Sequence, residues 1–169
     1  MGTTFYSILF YPQRHCISRC QFKKDGAKIL VAYDGSAESK EAVKEAADLA
    51  KRFNGSLTVL NVYWDPMEDK YEPIVEHIEK TSIGDMGSSR ILDDVEPMLN
   101  KGKVKFDLRS VKDPNVPKTI LRIAEDEGYS CIALGSRGMG GAKAWLLGSV
   151  SSRVIAEASC PVLVVNPSA

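Results

Sequence analysis

Cys131-Ile132-Ala133-Leu134-Gly135-Ser136-Arg137-Gly138-Met139-Gly140-Gly141 runs from a short apolar stretch straight into glycine. An apolar run of this length closed by glycine reads as a buried strand entering a loop. Beyond the loop, Ala144 to Ala158 reads as a helix from the spacing of Trp145, Leu146, Val150, Val154 and Ile155. Strand, glycine-rich turn and helix form the repeating unit of a parallel sheet, since parallel neighbours need a crossover that returns the chain over the sheet.

The unit recurs toward the N-terminus. Lys28-Ile29-Leu30-Val31-Ala32-Tyr33 is another apolar run, ended by the turn signal Asp34-Gly35-Ser36. Ser36 is placed to cap a helix marked by Ala42, Val43, Ala46, Ala47, Leu49 and Ala50, and Asn54-Gly55 stops it. Ser56 to Tyr63 gives a further buried strand. Between Trp64 and Lys80, Pro66, Pro73 and many charges predict a loop with at most a short helix. Ile91, Leu92, Val95 and Leu99 predict a helix ending near Asn100-Lys101-Gly102, and Val104, Phe106, Leu108 and Val111 then alternate as a strand. Asp113-Pro114 opens a helix through Ile120, Leu121, Ile123 and Ala124 that closes at Glu127-Gly128, and Pro161 to Val165 is the last strand.

The expected fold is α/β, one three-layer domain over 27–169 with a five-stranded parallel sheet and helices on both faces. Residues 1–26 fit no element of this scheme; a flexible arm, an extra strand and residues ahead of the natural start are all compatible with them. In such sheets ligands sit beyond the carboxyl ends of the strands, where strand order reverses, which selects the loops after Tyr33, Val62 and Leu134.

Lys plus Arg and Asp plus Glu number 22 each, so the positive field that drives nucleic-acid or anionic-membrane binding is missing, and neither partner is expected. Cys16, Cys20, Cys131 and Cys160 form no CxxC pair, and His15 and His77 do not complete a common metal-ligand pattern, so no protein metal site is expected. Cys131 and Cys160 read as buried small hydrophobes of a reducing compartment. The apolar patch Phe5 to Tyr11 is too short to span a membrane, and the basic residues Arg14, Arg19, Lys23 and Lys24 follow it, the reverse of a secretory signal. A cytoplasmic location is the expectation.

Glycines between a strand and a helix let backbone N–H groups approach and cradle phosphate. After a nine-residue gap from Gly138, Gly148 and Ser149, with Ser151 and Ser152 behind them, add hydroxyl and amide donors. A Walker loop is absent, because Gly140 is followed by Gly141 and Ala142 rather than Lys-Ser/Thr. The dinucleotide fingerprint fails as well, with Lys143 at its third glycine position. No Gly-x-Ser-x-Gly elbow supports a serine hydrolase.

Gly135, Gly138, Gly148 and Ser149 reproduce the spacing Gly, two residues, Gly, nine residues, Gly-Ser/Thr, and by it the chain resembles the ATP-binding members of the universal stress protein family. The likeness continues through Ile29 to Ser36, through Val150-Ser151 and through Ala158 to Val165. It implies an adenine nucleotide alpha hydrolase-like, Rossmann-like domain. It further implies that Ala32, Tyr33 and Asp34 lie against adenosine, that Val62 offers backbone groups to adenine, and that Gly135, Arg137 and Gly138 approach ribose and phosphates. Gly148, Ser149 and Val150 would complete the phosphate grip. ATP with Mg2+ or Mn2+, a homodimer pairing through Val162 to Val165, and a further protein partner belong to the same implication. The N-terminal extension and the charged 64–90 insert depart from the family pattern.

Plainer readings stand beside these. Asp34 serves equally as a helix-capping acceptor, Arg137 and Lys143 as solvated surface charges, and Trp145 as packing. No catalytic residue is evident, so the function expected is regulatory ATP binding in a stress response. Weak ATP hydrolysis or autophosphorylation at Ser149, Ser151 or Ser152, and a nucleotide-free dimeric interaction module, are the alternatives.

Overall fold

The computed structural model describes residues 6–10, 26–64, 75–77, 89–138 and 147–166. Their strands are β1 (Tyr6–Phe10), β2 (Lys28–Ala32), β3 (Ser56–Tyr63), β4 (Val75–His77), β5 (Lys105–Lys112), β6 (Cys131–Gly135) and β7 (Val162–Asn166). The helices are α1 (Ala37–Arg52), α2 (Ser89–Asp93), α3 (Glu96–Gly102), α4 (Val116–Asp126) and α5 (Ser149–Glu157). One sheet runs in the order β1-β7-β6-β2-β3-β5-β4. Its five inner strands are parallel, as expected, from β7 through β6, β2 and β3 to β5.

The expected five strands are joined by two more, both antiparallel and both at edges. β1 pairs with β7 from Tyr6↔Asn166 to Phe10↔Val162, so part of the 1–26 extension is a strand. β4 pairs with β5 from Val75↔Val111 to His77↔Arg109, placing a strand where a loop with at most a short helix was expected. The helix expected over Ile91 to Leu99 is two short ones, because the chain turns at Asp94 and Val95 and restarts with Pro97 in the first turn of α3. α4 is capped by Asn115, whose side chain accepts from Lys118 N, while the Asp113 carboxylate accepts from Asn115 N and Thr119 Oγ1.

Alternation along the inner strands sends side chains to two cores. Ile29, Val31, Leu57 and Val59 pack under α1 and the α2–α3 pair. Leu30, Leu60, Ile132, Leu134, Val162 and Val164 pack under α4 and α5. Burial on both faces is why these runs are continuously apolar rather than alternating. β2 has β6 on one side and β3 on the other, so strand order reverses between β2 and β6. Cys131 lies wholly buried in the first core, where loss of solvation, reinforced by nearby Cys160, pushes its thiol up to about 12 and makes it inert.

On the α4 face a polar cluster ties together residues far apart in sequence. Arg109 pairs with Asp107 and with Glu127, Lys28 reaches Glu127 and lies over the Tyr129 ring, and Tyr129 Oη meets Thr58 Oγ1 at 2.9 Å. Burial alone would raise the Glu127 carboxyl, but the Arg109 hydrogen bond and the Arg109 and Lys28 charges outweigh it and hold the group below its ordinary value. A folded value below the unfolded one stabilises fully above about pH 4.3 and loses that contribution as pH falls through the folded value. Glu127→Gln is expected to lower stability by about 1 kcal/mol at neutral pH, the pair being partly solvent-screened. Urea unfolding at neutral pH and at about pH 3 checks it: the gap from the parent protein should narrow on acidification.

Candidate ligand cavity at the strand ends

The turn after β2, the Val62 end of β3 and the segment after β6 come together at the carboxyl ends of these strands, and Asp34 shows how the sequence shapes the first. Its Oδ1 accepts from Ser36 N at 3.0 Å, and Ser36 Oγ in turn accepts from Ser39 N at 3.1 Å. Asp34 thus holds the turn and Ser36 caps α1, with Gly35 between them at φ +85°.

Gly135 has no side chain because there is no space for one. A Cβ there would stand 2.7 Å from Glu38 Cβ and 3.0 Å from Ser39 N, so the first turn of α1 sits directly on the end of β6. At Gly138 a Cβ would come 2.5 Å from Asp34 Oδ2, which places the two loops in contact. Gly148 is different, since its nearest neighbours, Arg137 Cα and Ser136 O, lie at 3.5 Å, an ordinary contact.

Ser136 fixes the loop base. Its N–H donates to Val165 O at 2.8 Å, its carbonyl accepts from Gly148 N at 2.8 Å, and its hydroxyl donates to Asn166 Oδ1 at 3.1 Å. Ser151 Oγ donates to Gly135 O at 2.8 Å from within α5, so the Ser151 hydroxyl is committed to joining helix and strand. The expected helix start at Ala144 is corrected where it can be seen: Gly148 is the N-cap at φ −64° and ψ 157°, and the helix begins at Ser149. No side chain caps it, so first-turn amides lack the intrahelical acceptors that later residues have. Residues 139–146, including Lys143 and Trp145, lie outside the described residues, as do His15, Cys16 and Cys20.

These loops surround a cavity of about 510 Å3. All ten residues singled out from the sequence line it: Ala32, Tyr33 and Asp34 from the β2 end, Val62 from β3, Gly135, Arg137 and Gly138 after β6, and Gly148, Ser149 and Val150 at the start of α5. Leu60, Leu134, Val116 and Ile120 give it an apolar floor. In the sequence Leu60, Leu134 and Ile120 read only as apolar strand or helix residues and Val116 carries no signal, because nothing in such a pattern marks which residues face an opening. Asn61 was likewise not foreseen. Buried in β3, it donates through Nδ2 to Tyr33 O at 2.9 Å while its Oδ1 accepts from Ser110 Oγ, bracing the β2 end against β3 and β5.

Arg137 pairs with Glu38, Nη2 to Oε1 at 3.2 Å. Its Nε is buried and has no hydrogen-bond acceptor among the described residues. A buried donor left without an acceptor costs about 1–3 kcal/mol, so an anionic group entering beside Arg137 would meet an unspent hydrogen bond. Apolar floor, glycine-walled rim and uncapped helix start therefore suit a ligand with a flat apolar part and an anionic tail.

Fold and cavity together define a doubly wound α/β domain with a cavity at the switch point, where sheets of this kind place ligands. Residues 27–166 match the universal stress protein family, and the chain belongs to that family. It is 32% identical over 154 residues to universal stress protein YxiE of Bacillus subtilis (strain 168), covering 82% of this chain and 98% of that one. Among solved structures it is similar in fold to a universal stress protein in complex with cAMP, with a TM-score of 0.62, 21% identity, and coverage of 85% of this chain and 99% of the other. A universal stress protein from Archaeoglobus fulgidus DSM 4304 superposes with a TM-score of 0.61 at 24% identity; 94% of this chain is covered, but only 48% of that longer one.

The two outer glycines of the motif should separate in a stability test. Gly135→Ala forces a Cβ into the α1 backbone and is expected to cost about 1–3 kcal/mol. Gly148→Ser places a favourable capping residue at a permissive backbone and should change stability by less than about 0.5 kcal/mol. Thermal melts of both variants check the contrast.

Proposed function

We propose that this chain is an ATP-binding universal stress protein whose role is regulatory, with nucleotide occupancy altering its shape or its protein partner. The observation that carries the reading is the convergence of Gly135, Arg137, Gly138, Gly148, Ser149 and Val150 around one cavity with an apolar floor. Ala32, Leu60, Val62 and Leu134 would receive adenine, Asp34 the ribose, and the amides of Ser149 and Val150 with Arg137 the phosphates. A divalent ion, Mg2+ or Mn2+, would enter with the phosphates and screen their charge against Asp34 and Glu38. The solved relative in complex with cAMP supports adenine nucleotides as the ligand class. The domain is taken as 27–169, cytoplasmic, with a protein partner still to be identified. Pairing of two copies through Val162–Val165 is part of the resemblance, and in this chain it has to contend with β1.

Weak hydrolysis or autophosphorylation is the alternative reading, and measured turnover discriminates it from binding alone. A phosphoacceptor serine would be Ser149 or Ser152 rather than Ser151, whose hydroxyl is held by Gly135.

Calorimetric titration of nucleotide-free protein with ATP and Mg2+, with cAMP as comparator, tests the reading. ATP binding in the micromolar range is expected, worth about 8 kcal/mol. Gly148→Val should weaken it at least about tenfold while costing only about 1 kcal/mol of stability at the helix cap. Failure of folded, nucleotide-free protein to bind either nucleotide would replace this reading with the interaction module.

A further inference from the structure

Arg137 lines the cavity, but its guanidinium is shared with a residue that does not. Glu38, in the first turn of α1, accepts from Arg137 Nη2 on Oε1 at 3.2 Å, and the two side chains are only 18% and 21% exposed, so solvent screens the pair less than it would on the surface. The place of Glu38 is set by its backbone. Ser36 caps α1 two residues earlier, and a Cβ at Gly135 would stand 2.8 Å from Glu38 C, so the main chain of Glu38 rests on the end of β6. An acidic residue in a first helical turn is favourable on its own account, but that leaves the pairing with Arg137 unexplained. Among the described residues lining the cavity, Arg137 supplies the positive charge and Asp34 the negative. With Glu38 set against Arg137, two carboxylates stand against one guanidinium. Arg137 Nε meanwhile is buried with no acceptor among the described residues. Arg137 thus offers an anion a hydrogen bond without an excess of positive charge.

We propose that Glu38 is a positioning residue that sets how much negative charge a ligand tail can bring into this cavity. It holds the Arg137 donor in place and cancels its charge, so the cavity discriminates against tails carrying several uncompensated negative charges and in favour of a singly charged phosphodiester. This rests on the nucleotide reading of the same cavity. The repulsion between the Glu38 carboxylate and a bound tail grows in proportion to the charge of the tail. The first-turn amides of α5 keep their hydrogen bonds to offer whatever the state of Glu38. Glu38 therefore governs how affinity depends on ligand charge, while the amides and Arg137 supply the contacts that every phosphate shares.

The test is calorimetric titration of the full chain, free of nucleotide and in EDTA, with ATP and with cAMP. The quantity read is the ratio of ATP affinity to cAMP affinity, which a uniform loosening of Arg137 leaves unchanged. Glu38→Gln keeps an acceptor for Nη2 but removes the charge, and it is expected to raise that ratio about fivefold, since metal-free ATP carries several negative charges and cAMP a single one. Glu38→Asp keeps the carboxylate and should retain the parent ratio even where affinity for both nucleotides falls. Should Glu38→Gln fail to fold, Glu38→Ala gives the same readout, because it too removes the charge. A ratio unmoved by Glu38→Gln, or raised equally by Glu38→Asp, would overturn the proposal while leaving nucleotide binding intact. Binding of neither nucleotide to any of these proteins, with Mg2+ restored, would instead overturn the nucleotide reading and the proposal along with it.

Discussion

Ser136 is the residue on which the upper end of the molecule depends. Its amide and hydroxyl reach the last two residues of β7, and its carbonyl holds the amide that opens α5. Three elements distant in sequence, β6, α5 and β7, are thereby fixed to one buried residue. Without those bonds the glycine-rich segment would be an ordinary surface loop with conformational freedom to lose on binding. With them, both ends of the cavity rim are in place before any ligand arrives, and preorganisation of that kind lowers the entropic cost of association.

The sheet was legible because its inner strands are covered on both faces. Ile29 to Ala32, Cys131 to Leu134 and Val162 to Val165 are unbroken apolar runs, and Ser56 to Tyr63 is interrupted only by Thr58 and Asn61 after its first residue, the pattern of a strand covered on both faces. The cavity residues were legible for a separate reason, namely the spacing of Gly135, Gly138, Gly148 and Ser149 and the likeness built on it. What the spacing could not tell was why each glycine is there. Gly135 answers to the first turn of α1 and Gly138 to Asp34, whereas Gly148 has room to spare.

The edges were hard to read for a physical reason. A strand such as Val75–His77 is three residues long and lies at the sheet edge, so neither periodicity nor apolar content distinguishes it from the charged sequence around it. β1 has the composition of a strand, but its partner lies at the far end of the chain, and local pattern carries no trace of so distant a pairing. The same limit hid the cluster of Lys28, Arg109, Glu127 and Tyr129, charged or aromatic residues that read singly as surface or core and meet only once four elements are assembled.

The hydrogen bond from Gly148 N to Ser136 O also bears on how this domain could change over evolutionary time. Because it fixes the two ends of the intervening loop side by side, the fold has little stake in how many residues lie between them. Lengthening such a loop by a few residues changes the closure entropy by only about 0.3 kcal/mol. The nine residues from Met139 to Leu147 are therefore not a length the scaffold demands. Insertions and deletions there would leave β6 and α5 joined as they are, so the scaffold sets no length for the segment.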